Sequence, residues 1–176
     1  MEPVPPCRLY QWDEWIDHAW LAVDPLQRVA FVQCAEVQGI PTHLSIPEYL
    51  TRGLRSEVLE AQMKGDVTPN TNRRIKEASK DVACRDAWEA YADYVHGLGR
   101  RGFYVYDFAL DKKQGYFYCF VEPQCPVSVQ EMPASLRMLA RIVRVEKPWG
   151  ERSIYSKNDF CSHSIGDTGA TGSQPH

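Results

Sequence analysis

The chain has 176 residues, 44% of them apolar and 24% charged, with a formal net charge of −3. That length suits one domain with a substantial hydrophobic core, and that charge leaves no basic footprint for nucleic acid and no polybasic stretch for an anionic membrane. No apolar run approaches a membrane span, and the opening "MEPVPPCRLYQW", with an acidic second residue and three prolines, lacks the basic-then-apolar order of a signal peptide, so a cytoplasmic location is expected.

Residues 1 to 8 are Pro-rich and expected to be extended. "LYQWDEWIDHAW" follows. A helical turn brings Trp12, Trp15 and Ile16 together and leaves Asp13, Glu14 and Asp17 toward solvent. "WLAVDPLQRVAFVQC" predicts a hairpin with strands at Trp20–Val23 and Val29–Cys34. Asp24 suits the first turn position and Pro25 presets the second. The alternation is loose, which predicts at least one strand covered on both faces.

Ser45 and Glu48 have capping-box spacing, with Pro47 in the first turn of a helix that carries Leu50, Leu54, Val58 and Ala61 and stops at Gly65. "DVTPNTNRR" is expected to be a polar, mobile loop. "RRIKEASKDVACRDAWEAYADYVHGLG" gives the strongest helical signal. Cys84, Trp88, Tyr91, Val95 and Leu98 form one stripe, with Gly97 and Gly99 as the stop.

Phe103–Leu110 and Tyr116–Glu122, joined by "DKKQG", predict a second hairpin. On strand geometry Phe103, Val105, Asp107 and Ala109 share one face, and Tyr104, Tyr106, Phe108 and Leu110 the other. Val127–Val129 suits a short strand. A short helix should begin near Pro133 with Leu136, Leu139 and Ala140 inward, and "IVRV" should return to a strand. Strands that arrive as hairpins predict an α+β domain over 1–150, an antiparallel sheet with two or three helices packed on one face. Residues 151–176 are expected to form a polar extension, largely disordered from about 164.

Chemical motifs are sparse. No glycine-rich turn joins a strand to a helix, and "GLGRRG" follows the strong helix instead of opening one, so no nucleotide cofactor is expected. Cys7, Cys34, Cys84, Cys119, Cys125 and Cys161 are widely spread and suit small buried thiols; the spacing of Cys119 and Cys125 fits no zinc motif, and the five histidines are isolated, so no metal is expected. A nucleophilic set of Cys34, His96 and Asp107 defines an enzyme alternative only if the three meet in a cleft. The acidic pairs Asp13/Asp17, Asp86/Glu89 and Glu89/Asp93 suit a solvated helix face. The N-terminal Trp/acid cluster suits either core packing or a partner surface, since aromatic side chains supply binding energy and acids supply steering.

Three segments carry a resemblance: "WLAVDPLQRVAFVQCAEVQGIP", "GFYVYDF", and the Tyr/Phe strand that leads into "PQCPVSVQEMPASL". In this order the chain resembles bacterial immunity proteins of polymorphic toxin systems, of the type VI or contact-dependent inhibition kind, with "VQCAEVQ" replacing a glycine-richer stretch after Phe31. The resemblance covers most of residues 10 to 145 and rests on structural residues, so it implies a role without assigning functional ones. It implies a non-enzymatic protein that binds a cognate toxin domain and blocks its active site. The partner-binding expectation falls on Trp12, Asp13, Glu14, Trp15, Asp17, Tyr104, Tyr106, Tyr116 and Tyr118. The other expectations are a small enzyme using Cys34, His96 and Asp107, or a regulatory binding protein with no toxin partner.

Overall fold

The computed structural model describes residues 18–34, 41, 43, 44, 54, 57–82, 84–110, 115–152 and 154–162. Strands β1 (His18–Val23) and β2 (Val29–Cys34) form the expected hairpin, paired from His18↔Cys34 to Val23↔Val29. Asp24 builds its turn. Its Oδ1 accepts the backbone N–H groups of Leu26 at 3.0 Å and Arg28 at 2.8 Å, as a short carboxylate does at the head of a turn. Every residue of β2 is buried, and so are residues 19–23 of β1, so both strands of the hairpin are covered on both faces.

Strands β3 (Tyr104–Leu110) and β4 (Gly115–Val121) form the second hairpin, followed by β5 (Val143–Val145), β6 (Ile154–Tyr155) and β7 (Phe160–Ser162). The seven make one sheet in the order β6-β4-β3-β2-β1-β5-β7. The sheet is mixed, which corrects the expectation of a purely antiparallel one. The pairs β2/β3 and β1/β5 are parallel. Only strands joined by tight turns are forced antiparallel. A long crossover separates β2 from β3, and it returns the chain to the same end of the sheet.

The sheet curls into a half-barrel. Phe117 of β4 meets Phe160 of β7 with ring centroids 5.1 Å apart, and Tyr155 of β6 lies 6.3 Å from Phe160, although β6 and β7 are the two ends of the strand order. The concave side is therefore filled by side chains of the sheet, among them Trp20, Val32, Tyr106, Tyr155 and Phe160, together with Trp149 from the β5–β6 connection. Alternation sends Leu21, Phe31, Phe103 and Val105 to the convex side, where the helices lie.

Three helices are fully bounded among the described residues: α1 (Pro69–Ala78), α2 (Arg85–Arg100) and α3 (Ala134–Ala140). Tyr91, Val95 and Leu98 of α2 and Leu136 and Ala140 of α3 are buried in the convex core, as the helical stripes predict. Leu54 and Val58 are helical and buried there too, whereas the Ser45/Glu48 cap lies outside the described residues.

Helix α1 corrects the loop expected at "DVTPNTNRR". The Thr68 side chain accepts the Thr71 N–H at 3.3 Å, and Pro69 occupies the first helical position, where it forfeits no hydrogen bond. The long helix expected from Arg73 onward is two helices, interrupted by a 3-10 turn at Ser79–Asp81 and by extended backbone at Val82 and Cys84. Nor does α2 stop at Gly97 or Gly99. It runs to Arg100, and Gly102 at φ +91 makes the turn. Gly99 serves packing: a Cβ there would stand 2.4 Å from Val67 and 2.5 Å from Val121.

Val127–Val129 is not a strand, since Ser128 only bridges to Arg28 before a 3-10 turn at Val129–Glu131. The largest revision is at the C-terminal side. Residues 151–162 are not an appendage, because β6 and β7 close the two ends of the sheet and Tyr155 and Phe160 are fully buried. The fold extends to Ser162, and the tail expected from about 164 lies outside the described residues. Among the described residues no helix is long and apolar enough to cross a membrane.

Candidate functional site

The groups with catalytic potential do not meet. Gln33 pairs with Asp107 across β2 and β3, so Cys34, the next residue on β2, projects to the opposite face from Asp107. Cys34 is buried in the concave core. His96 lies toward the end of α2, 3.9 Å from the exposed Asp66 carboxylate, which also receives Arg100 at 3.7 Å. The geometry of a nucleophile, base and orienting acid is therefore not formed by Cys34, His96 and Asp107.

Cys119 is also poorly suited to act as a nucleophile. Burial pushes its thiol up to about 11, against a smaller opposing pull from Arg74, and a thiol in that state holds little thiolate at neutral pH. Cys84 departs from the expectation of thiols throughout, being disulfide-bonded. Among the described residues no three His, Cys, Asp or Glu side chains gather to hold a metal ion.

Asp107 is held in a polar cluster between the sheet and α2. Its Oδ2 accepts the Tyr91 hydroxyl at 2.9 Å and the Gln33 amide at 3.5 Å, and its Oδ1 accepts the N–H of Phe108 at 2.9 Å. No cation pairs with it among the described residues. Burial raises its pKa to about 6, while the three hydrogen bonds pull the other way. The same carboxylate and burial raise the Tyr91 hydroxyl well above its ordinary value, burial being the larger cause. Strand alternation places Asp107 on the face away from Tyr104 and Tyr106, and there a backbone N–H, a tyrosine and an amide satisfy it.

An open groove of about 610 Å³ lies between α1 and α2. Lys76 and Lys80 stand on the α1 side, Arg85, Glu89 and Asp93 on the α2 side, and Ile75, Val82 and Trp88 supply apolar surface. Trp88 is half-buried. Its ring lies 5.5 Å from Tyr91 and 6.3 Å from Phe120, so it is anchored on one side and open on the other. Tyr118 continues the aromatic tier, 6.0 Å from Phe120.

The expected partner residues divide three ways. Tyr116 and Tyr118 are half-exposed on β4 and remain available to a partner. Tyr104 and Tyr106 are buried and offer no contact surface. The Tyr104 hydroxyl receives Arg28 Nη1 at 3.1 Å, and the Tyr106 hydroxyl donates to the Arg152 carbonyl at 3.3 Å. They sit on the aromatic face that the curl of the sheet encloses. Trp12, Asp13, Glu14, Trp15 and Asp17 lie outside the described residues. Sequence reasoning missed the groove. The helical period puts Trp88 in the core stripe, and its place at the stripe's margin shows only once α1 is a helix with α2 beside it.

No family model, curated protein or solved structure matches this chain.

Proposed function

We propose that the protein is an immunity protein: it binds a cognate antibacterial toxin domain in the cytoplasm and neutralises it by covering the toxin's active site, without catalysis of its own. One observation carries this reading. The half-buried Trp88 opens onto a groove rimmed by charged side chains, while the candidate reactive groups are dispersed, with Cys34 buried in the concave core and His96 and Asp107 on other elements. An aromatic anchored from behind and ringed by charge is the arrangement that concentrates binding energy at protein interfaces. Half-exposed Tyr116 and Tyr118 extend the same kind of surface along β4.

The test is co-expression of the chain with the toxin encoded beside its gene. Protection of the host cell and co-elution of the two purified proteins are the expected results. Failure of both sinks the reading, and turnover of any small substrate that is lost in Asp107→Asn would turn attention to an enzyme.

A further inference from the structure

The charges of the α1/α2 groove do not cancel. Arg85 and Glu89 satisfy each other at 3.1 Å. Lys76 and Lys80, four residues apart on the groove side of α1 and of the turn that follows it, have no acidic partner among the described side chains. Asp93, at the other rim, is the only remaining carboxylate among the lining residues. A chain with net charge −3 thus carries a locally positive groove with a tryptophan in its wall.

We infer that this groove takes a short acidic peptide segment, with two carboxylates set against Lys76 and Lys80 and one apolar side chain against Trp88. The identification of that segment as part of a toxin domain rests on the function proposed above; the chemistry of the groove does not. A volume of about 610 Å³ admits a few side chains. Lys76 lies in the last turn of α1 and Lys80 in the 3-10 turn that continues it; side chains about one turn apart stand roughly 6 Å apart, which matches carboxylates four apart on a helix or two apart on a strand. Nucleic acid is disfavoured. Its affinity comes from many phosphate contacts at once, and two unpaired lysines on a net-acidic chain supply few of them. For an acidic segment two lysines beside an apolar ring supply both attraction and anchoring.

The probe is a fluorescein-labelled peptide with one Leu between two Glu placed four residues apart, compared with the same peptide carrying Lys in place of both Glu. Anisotropy titrations should show the Glu peptide binding the wild-type chain at least about tenfold more tightly than the Lys peptide, with the margin shrinking as salt rises from roughly 50 to 500 mM. Lys76→Glu with Lys80→Glu should abolish or reverse the preference, and Trp88→Leu should weaken the Glu peptide; circular dichroism checks that each variant is folded. Equal binding of both peptides, binding of neither, or a preference unchanged in the double variant overturns the inference. The toxin separates the two claims. Toxin bound by the wild type and equally by the double variant sinks the groove assignment and keeps the function; toxin unbound while the Glu preference holds sinks the function and keeps the groove.

Discussion

The backbone N–H of Trp149 donates to Asp24 Oδ2 at 2.9 Å, across 125 residues of sequence. Arg28 completes the junction. It pairs with Asp24 at 2.7 Å, donates from Nη2 to the Trp149 carbonyl at 2.7 Å, and accepts the Trp149 indole N–H on its own carbonyl at 3.0 Å. The β1–β2 turn is thereby the socket that receives the chain before it continues into β6 and β7. The Asp24 side chain is fully buried, so its charge is affordable only because each lobe is occupied.

Asp24→Ala is expected to destabilise the fold by about 3–5 kcal/mol, because it strands the Arg28 guanidinium and unties Trp149. Chemical denaturation reads the total. Hydrogen exchange should show the loss of protection concentrated in residues 148–162, and uniform loss across β3 and β4 would argue against a socket.

Truncation after Gly150 or the substitution Phe160→Ala tests the enclosed face. Phe160 is fully buried and meets the rings of Trp20 at 5.8 Å and Phe117 at 5.1 Å. Its removal should lower stability by about 3–5 kcal/mol, and the truncated chain should fail to give a cooperative transition. A truncated chain as stable as the full one would return residues 151–162 to the status of an appendage.

Asp107 makes stability depend on pH in the direction opposite to a salt-bridged acid. Its folded pKa of about 6 is above the ordinary 3.8, so the folded state holds the proton more tightly. The stabilisation is complete below about pH 4 and is lost as pH rises through 6, by up to about 3 kcal/mol. Asp107→Asn should remove that part of the slope between pH 4 and 7. Denaturation midpoints measured across this range for both proteins decide it, and parallel curves would place the titration elsewhere.

Gly99→Ala should destabilise by about 1–3 kcal/mol, since the new methyl meets Val67 and Val121 well inside contact distance. Gly97→Ala is the control. Its Cβ would meet only the Arg101 guanidinium, at 3.3 Å, the end of a flexible side chain that can yield by the few tenths of an ångström needed. Thermal unfolding should separate the two, with Gly97→Ala near neutral or slightly stabilising because Ala favours the helix.

Elements built by near neighbours were legible in the sequence. The Asp24-Pro25 turn, both hairpins, the strand at Val143–Val145 and the helix after Pro133 are each set by turn chemistry or by a local apolar period. The same alternation put Asp107 and the Tyr104/Tyr106 pair on opposite faces, and that assignment stands. It did not say which face is open. Tyr104 and Tyr106 looked as available as Tyr116 and Tyr118, and only the curl of the sheet buried the first pair.

What sequence by itself determined here is the set of local elements and the face each residue takes, because turn chemistry and side-chain periodicity act over a few residues. The parallel pairing of β2 with β3, the capture of Trp149 by Asp24 and the enclosure of an aromatic core by β6 and β7 were decided by tertiary structure alone. These contacts join residues far apart in the chain. Their partners are chosen by the volume and hydrogen bonds left once the sheet has curled, and no local pattern encodes that space.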